Sequence, residues 1–271
     1  MTPPYGLILA GGRSRRMGRD KAALVYHGLP QTEWLRALLE PFCQEIFLSV
    51  REASESPQGK ELVDRQPGEG PLGAIASAFE AYPEVPWLVV ACDLPYVQPT
   101  LLQALLGARE GGRPVVSFES DFDGKSEPLC ALYEPEAGET VRRAFSAGQR
   151  CPRSVIEELG VELLPLPIAG ALDNVNTPDE AAAVEDKLRM PWARLQVSYF
   201  AQLAEEAGKT QETLEGAFGS LGELYERLRE RYGFSLDRSR VRVAQNEEFA
   251  HWGDAPLAQA EIAFLPPFAG G

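Results

Sequence analysis

The sequence has 271 residues, of which 44% are hydrophobic and 24% charged, as in an ordinary globular protein. Its formal net charge of −14 argues against a nucleic acid as the main partner, because a phosphate backbone requires a basic surface. Only two histidines are present, so neither a Ser-His-Asp triad nor a multi-histidine metal site is expected.

The N-terminal apolar run is too short for the core of a signal peptide and is followed by arginines. The cysteines are scattered and form no CxxC pair, which favours reduced thiols over a disulfide or zinc framework. We therefore expect a cytoplasmic protein that does not associate with membranes. The cysteines are Cys43, Cys92, Cys130 and Cys151.

The first 190 residues alternate short apolar runs with helical patterns, which predicts an α/β fold. The runs YGLILA, EIFLSV, WLVVAC and PVVSF are predicted to be buried parallel strands. Thr177 is predicted to cap the last helix of this half. The predicted helices lie near Gln31–Leu39, Pro71–Tyr82, Thr100–Arg109, Thr140–Ala147 and Pro178–Leu188.

A proline after the last of these helices predicts a domain boundary, with one domain over residues 1–190 and another over 191–271. The second segment has its own strand patterns, RLQVSYF, VRVAQN and EIAFLPPF. Its helix places four side chains on one apolar stripe, which requires a sheet to pack against. We expect a compact α+β domain. The stripe consists of Leu221, Leu224, Leu228 and Tyr232.

The segment LAGGRSRRMGRDK, residues 9–21, directly follows a predicted buried strand. Gly11 and Gly12 remove side chains where backbone amides approach phosphate oxygens. A glycine turn followed by a solvated basic patch is the alternative, but the complete string after a strand favours phosphate binding. It is neither a Walker loop nor a dinucleotide GxGxxG. Charge for a polyphosphate comes from Arg15, Arg16 and Lys21.

Asp93 follows the predicted strand WLVVAC, at the end where open α/β sheets bind their ligands. An aspartate there can hold Mg²⁺ with few protein ligands while nucleotide oxygens and water complete the coordination. The alternative role is capping of the loop before Pro95.

The glycine-rich string resembles the signature loop of nucleotidyltransferases, most closely that of molybdenum cofactor guanylyltransferases. Further similar strings follow in the expected order: ELVDR, Gly70-Pro71-Leu72, ACDLP, EPLCALY and NVNTP. The resemblance implies a Rossmann-like three-layer sandwich that transfers GMP from GTP to molybdopterin and releases pyrophosphate, with Mg²⁺ as cofactor.

The same resemblance implies roles for single residues. It assigns catalysis to Lys21, Arg15 and Asp93, with Asp93 on the metal. Asn174 and Asn176 are assigned to the pterin substrate, although such asparagines also serve turns and caps. Asp64 is assigned to the guanine site, with a simple strand-end role as the alternative. The implied nucleotide-binding set is Leu9, Ala10, Gly11, Gly12, Lys21, Asp64, Gly70 and Asp93.

The C-terminal segment, from VSYFAQL to FLPPFAGG, resembles the small sulfur-carrying subunit of molybdopterin synthase. This implies a ubiquitin-like β-grasp fold whose first and last strands run parallel. It also implies a thiocarboxylate on the tail Gly270-Gly271, with a frayed terminus as the alternative. The implied partners are the large subunit of molybdopterin synthase and an ATP-dependent adenylating and sulfurating enzyme.

Other functions remain open on the sequence. The first domain is also compatible with a cytidylyltransferase or a sugar-phosphate nucleotidyltransferase. The whole chain is compatible with a sulfur carrier attached to a non-catalytic N-terminal scaffold. The C-terminal domain is also compatible with a sulfur carrier of thiamine synthesis. The strings EPLCALY, NVNTP and FLPPFAGG favour the molybdopterin assignment, and intact Lys21, Asp64 and Asp93 favour catalysis.

Overall fold

The computed structural model describes residues 2–10, 24–54, 59–64, 69–189 and 193–267, which form two compact units. The predicted boundary after residue 190 falls outside the described residues and stays a prediction. The first unit takes in the described parts of Met1–Glu119, Lys125–Pro165 and Leu172–Ala182. The second takes in those of Ser120–Gly124, Leu166–Ala171 and Ala183–Gly271.

A seven-stranded sheet with the order β3-β2-β1-β4-β6-β5-β7 organises the first unit. Its strands are β1 (Tyr5–Leu9), β2 (Glu45–Val50), β3 (Lys60–Val63), β4 (Trp87–Ala91), β5 (Val115–Glu119), β6 (Ser126–Tyr133) and β7 (Glu162–Leu164). The helices are α1 (Gln31–Leu39), α2 (Pro71–Ala81), α3 (Pro99–Gly107), α4 (Ala137–Ser146), α5 (Pro152–Leu159) and α6 (Pro178–Arg189), which continues into residues of the second unit.

The four strands predicted in this half are present, but the sheet is mixed. Strand β1 pairs in parallel with β2 and β4, as expected. Strand β5 runs in the same direction as these strands, because β4 and β5 are both antiparallel to β6, and it pairs in parallel with β7. The sheet is mixed because β6, which carries the EPLCALY string, lies antiparallel between β4 and β5. The EPLCALY string is therefore a buried strand of the sheet as well as a family motif, and its strand character was not predicted.

The central strands are apolar along their whole length because the sheet is buried on both faces. Every residue of β4 is buried, and so are Leu7, Ile8 and Leu9 of β1. The predicted cap of α6 is confirmed. The Thr177 hydroxyl accepts a hydrogen bond from the Glu180 amide at 3.2 Å, and the Glu180 carboxylate accepts from the Thr177 amide at 3.1 Å. This reciprocal pair is a capping box.

The second unit has a five-stranded sheet with the order β11-β10-β12-β8-β9. Strands β8 and β12 pair in parallel, which confirms the expected arrangement, and the other pairings are antiparallel. No helix in the described parts of the chain has the length and apolarity needed to cross a membrane. The elements are β8 (Ala193–Tyr199), α7 (Gln202–Ala207), β9 (Gln211–Gly216), α8 (Leu221–Tyr232), β10 (Arg242–Gln245), β11 (Glu248–Phe249) and β12 (Glu261–Leu265).

Helix α8 presents the predicted apolar stripe to the core of this unit. Leu221, Leu224 and Leu228 are buried there, with Tyr232 packed at the margin. Each buried leucine contributes about 1.5–3 kcal/mol of hydrophobic free energy. The Ser220 hydroxyl caps the helix by accepting a hydrogen bond from the Glu223 amide at 3.1 Å.

A buried polar cluster lies between β8, β9 and α8. The Tyr199 hydroxyl donates to the Glu212 carboxylate at 2.5 Å, and the Tyr232 hydroxyl donates to it at 2.9 Å. Burial raises the pKa of both phenols, and the Glu212 charge adds to the shift. Glu212 therefore accepts hydrogen bonds from both hydroxyls, while that of Tyr232 also accepts one from Lys209 at 3.1 Å.

Replacing Glu212 should destabilise the second unit. We expect Glu212→Ala to lower its free energy of unfolding by about 1–3 kcal/mol, because the buried tyrosine hydroxyls lose their acceptor. Glu215→Ala on the same strand removes only an exposed ion pair with Arg194, worth less than about 1 kcal/mol. Native-state hydrogen exchange of the β8 and β9 amides measures both effects. Equal losses for the two variants would show that the cluster adds no specific stability.

Candidate functional site

A cleft of about 130 Å³ opens at the carboxyl ends of β1, β2, β3 and β4. Because these strands are parallel, the residues that follow them gather at one edge of the sheet. The cleft unites Leu9, Asp64, Gly70 and Asp93, four residues that sequence analysis selected from four separate segments. Among the described residues, those that line it are Leu9, Ser49, Asp64, Gly70, Pro71, Ala74, Ala91, Cys92, Asp93 and Leu129.

The size and lining of this cleft fit one part of a ligand. Pockets for whole drug-sized molecules enclose roughly 300–1,000 Å³, so this volume is suited to a ring such as a nucleobase. Apolar walls are supplied by Leu9, Ala74 and Leu129, while carboxylates lie at Asp64 and Asp93. Such a mixture of apolar walls and a few polar groups orients a flat heterocycle.

Asp64 is held rigidly at the end of β3 and is only 7% exposed. Its amide donates to the Val50 carbonyl at 2.8 Å, and its Oδ1 accepts a hydrogen bond from the Ser49 hydroxyl at 2.8 Å. Burial raises the pKa of the carboxyl, while the Ser49 hydrogen bond and the Arg51 charge act in the opposite direction. The side chain is thus a positioned acceptor in an apolar surrounding.

Ser49 is a site residue that sequence analysis did not identify. It is 1% exposed and faces the cleft from β2. The sequence did contain an indication of this role, because a serine inside the apolar run EIFLSV needs a hydrogen-bond partner when it is buried. That partner, Asp64, lies on the next strand and became visible only with the sheet register, in which Ser49 pairs with Leu62.

Gly70 begins the wall formed by helix α2. Its φ of +85° is a conformation that side-chain-bearing residues rarely adopt, so glycine is required here for its backbone. Pro71 then starts the helix, where a missing amide hydrogen is not a loss. The positive end of the α2 dipole therefore adjoins the cleft and favours an anionic ligand.

Asp93 joins the cleft to the NVNTP segment. Its backbone carbonyl accepts a hydrogen bond from the Val175 amide at 2.9 Å, and Val175 is buried. Asn174 and Asn176 flank this anchor, the first exposed and the second half-buried. The structure therefore brings both asparagines to the Asp93 end of the site.

Segment 24–31 packs against the residues that follow Asp93. His27 Nε2 donates to the Pro95 carbonyl at 2.8 Å, and Gln31 Nε2 donates to the Leu94 carbonyl at 3.3 Å. His27 also stacks on Trp34, with ring centroids 3.8 Å apart, and burial lowers its pKa. This histidine is therefore a neutral structural group, and the segment supports the Asp93 loop.

The remaining residues of the predicted site belong to the glycine-rich string and to the C-terminal tail. Of the glycine-rich string, Leu9 ends β1 and Ala10 is half-buried beside it. Gly11, Gly12, Arg15 and Lys21 lie outside the described residues, as do Gly270 and Gly271 of the tail. The assigned roles of all these residues stay predictions.

The donor chemistry of the site is compatible with Mg²⁺. No group of three or more His, Cys, Asp or Glu side chains suited to a metal occurs among residues 2–10, 24–54, 59–64, 69–189 and 193–267. Mg²⁺ bound with a nucleotide needs only one or two carboxylates, because phosphate oxygens and water supply the other ligands. The half-buried Asp93 meets that requirement. A closed zinc site needs four protein ligands, and the described residues offer no such group.

Comparison with known proteins identifies both halves of the chain. The family model of the MobA-like NTP transferase domain matches residues 6–163, and that of the ThiS family matches residues 197–271. A probable molybdenum cofactor guanylyltransferase of Chloroflexus aggregans is 35% identical, over 66% of this chain and 92% of that protein.

Two further similarities agree with this result. A molybdenum cofactor biosynthesis bifunctional protein of Synechocystis sp. is 34% identical over 66% of this chain, but the match spans only 53% of that protein. The crystal structure of molybdopterin-guanine dinucleotide biosynthesis protein A from Archaeoglobus fulgidus has 24% identity and a TM-score of 0.58. It covers 67% of this chain and 97% of that chain, and it shows a shared fold. The chain belongs to the MobA-like NTP transferase family, and its C-terminal domain is of the ThiS family.

Proposed function

We propose that the first unit transfers GMP from GTP to the terminal phosphate of molybdopterin. The observation that carries the proposal is the cleft in which Asp64, Gly70 and Asp93 meet at one sheet edge. An oxygen of the acceptor phosphate attacks the α-phosphorus of GTP and forms a new P–O bond. The bond from the α-phosphorus to the bridging oxygen breaks, and pyrophosphate leaves.

Asp64 accounts for the choice of guanine. Its carboxylate accepts hydrogen bonds and donates none while ionised. Guanine offers amino and ring N–H donors on its pairing edge, whereas cytosine combines an amino donor with acceptors that a carboxylate repels. Ser49 fixes one carboxylate oxygen, so the group enters the cleft already oriented. The apolar walls at Leu9, Ala74 and Leu129 then exclude water from the base.

The remaining residues align the two phosphates. Asp93 would hold Mg²⁺, and the bound ion would supply positive charge that offsets the charge of the triphosphate. Lys21 and Arg15 are proposed to add positive charge, and the Gly11 and Gly12 amides to hold phosphate oxygens. Asn174 and Asn176 are proposed to bind the pterin, since the Val175–Asp93 hydrogen bond keeps them next to the reacting groups. Catalysis then depends on alignment and charge neutralisation, without a covalent enzyme intermediate.

We further propose that the ThiS-family domain carries sulfur on Gly271. An adenylating enzyme joins this carboxylate to the AMP of ATP and releases pyrophosphate. A hydrosulfide-level sulfur from the sulfurating partner then displaces AMP and leaves a thiocarboxylate for the large subunit of molybdopterin synthase. The parallel pairing of β8 with β12 supports this proposal, because it directs the tail away from the end where β8 enters. We assign both activities to the cytoplasm.

The transfer reaction is tested with a nucleotide panel. Purified protein, Mg²⁺ and molybdopterin, with and without molybdate, should form a dinucleotide with GTP and with no other nucleotide among CTP, ATP and UTP. Asp93→Asn should lower the rate about 10²–10³-fold, as loss of a charged transition-state contact does. Its fold should persist, since the Val175 hydrogen bond uses the backbone of Asp93.

Product with CTP alone would identify a cytidylyltransferase and contradict the role given to Asp64. Absence of product with every nucleotide, from folded protein, would favour a carrier on a non-catalytic scaffold. Product with a sugar phosphate but not with molybdopterin would identify the third alternative.

GTP affinity should depend on pH through Asp64. Burial raises the pKa of this carboxyl, so its charged form is lost at a higher pH than for an ordinary aspartate. We expect affinity to be full at neutral pH and to fall as the pH decreases through that raised pKa. Ser49→Ala removes a hydrogen bond that favours the charged form, so the loss of affinity should move to higher pH.

Calorimetric titration of GTP with Mg²⁺ at a series of pH values measures this dependence. Titration of the nucleotide itself is common to all proteins, so differences between variants report on Asp64. Ser77→Ala, which removes a buried hydroxyl bonded to the Gly73 carbonyl, is the control and should reproduce the wild-type curve. Coincident curves for wild type and Ser49→Ala would refute the coupling.

The tail is tested by mass spectrometry. Incubation with ATP, a sulfur donor and the adenylating and sulfurating enzyme of molybdopterin synthesis should exchange one oxygen of the chain for sulfur. A variant lacking Gly270 and Gly271 should stay unmodified under the same conditions, because its terminal carboxylate is no longer carried on a Gly-Gly tail. Modification of both chains would place the sulfur elsewhere.

A further inference from the structure

A buried tyrosine hydroxyl of the first unit has no hydrogen-bond partner among the residues that the structure describes. Tyr26 lies in segment 24–31 and is only 7% exposed, and its hydroxyl makes no hydrogen bond within the described part of the chain. Other buried tyrosines are satisfied. The Tyr133 hydroxyl donates to the Pro128 carbonyl at 2.8 Å, and that of Tyr225 donates to the Leu236 carbonyl at 2.9 Å. An orphaned hydroxyl in a native core calls for an explanation such as a ligand.

The position of Tyr26 is fixed by its neighbours. His27 and Gln31 bind the carbonyls of Pro95 and Leu94, which tie the segment to the peptide after Asp93. The Leu24 carbonyl accepts from the Gln31 amide at 2.8 Å and closes the segment on itself. Tyr26 is therefore held on a braced turn, and the hydroxyl is not left free by a loose loop.

The surroundings of the hydroxyl are acidic. Burial raises the pKa of Tyr26 to about 12, and Cys92, Asp93 and Glu180 add smaller shifts in the same direction. The phenol therefore remains protonated at neutral pH and is available as a donor. Phosphate oxygens only accept hydrogen bonds at neutral pH, so they complement such a donor, and the metal proposed at Asp93 would balance the nearby carboxylates.

The position of segment 24–31 in the first unit distinguishes between the two substrates. Tyr26 is absent from the residues that line the nucleotide cleft between Leu9, Asp64 and Gly70. Glu180 instead belongs to the start of α6, where its carboxylate accepts from the amides of Asn176 and Thr177. Tyr26 thus belongs to the segment that binds the peptide after Asp93, and the carbonyl of Asp93 in turn anchors Val175 between the two asparagines proposed for the acceptor.

We propose that Tyr26 is a further residue of the acceptor site, whose hydroxyl donates a hydrogen bond to the attacking phosphate of the acceptor. The inference rests on the proposed function, since it assumes that a phosphorylated acceptor binds beside Asp93. The hydroxyl positions one oxygen of that phosphate and is not consumed in the reaction. It also favours acceptors that end in a phosphate over those that end in a hydroxyl.

Tyr26→Phe in the full chain tests the proposal. We expect the KM for molybdopterin to rise about tenfold or more, as for loss of a hydrogen bond to a charged group, while the KM for GTP stays unchanged. The melting temperature of the ligand-free protein should stay equal or rise, because the substitution removes an unsatisfied polar atom. A structural role for the hydroxyl would instead lower the melting temperature.

Tyr225→Phe is the matched control, since it removes a buried hydroxyl that has a partner in the second unit. It should lower stability and leave both KM values unchanged. An unchanged KM for molybdopterin in Tyr26→Phe, or a parallel loss of stability and of affinity for both substrates, would overturn the proposal.

A second measurement separates this inference from the proposed function. If the wild-type chain forms no dinucleotide, the proposed reaction fails, and equilibrium binding of molybdopterin then decides the role of Tyr26. Weaker binding by Tyr26→Phe than by wild type would support it. Equal binding, or no binding by either protein, would overturn it.

Discussion

The parallel alignment of β1, β2, β3 and β4 is the constraint on which the candidate site depends. These strands end at one edge of the sheet, so the residues that follow them converge although they are far apart in sequence. Asp64 enters from β3 and Asp93 from β4, while Ser49 lies on β2 and Leu9 ends β1. Loss of one parallel pairing would displace the apolar wall at Leu9, one of the two carboxylates, or the Ser49 hydroxyl that supports Asp64.

At this edge of the sheet, the backbone carbonyls of residues 93–95 accept the hydrogen bonds that anchor the neighbouring segments. The carbonyl of Asp93 holds Val175, and the carbonyls of Leu94 and Pro95 hold Gln31 and His27. The Asp93 side chain therefore takes no part in these anchors. Such a division preorganises a functional group while the surrounding loops stay in place, and it limits the reorganisation that ligand binding requires.

Much of this fold and part of the candidate site could be predicted from the sequence. The central strands and six helices were predictable from apolar periodicity, and Asp64, Gly70 and Asp93 from strings that resemble family motifs. Strand β6 was missed because EPLCALY shows no strict alternation and was interpreted only as a family motif, although Asp123-Gly124 before it is a hairpin turn signal. Ser49 and Tyr26 were missed because their roles depend on neighbours that only the sheet register and the turn at 24–31 provide.

The central position of β12 has a consequence for folding during synthesis of the chain. In the order β11-β10-β12-β8-β9, this strand joins one antiparallel pair to the other, yet it follows all four in the sequence. Until it leaves the ribosome, the sheet consists of two separate hairpin-like pieces, which are marginally stable in water. A truncated nascent chain would therefore expose unpaired edges and be open to proteolysis. Folding of this unit thus serves as a check that synthesis has reached the segment next to the tail.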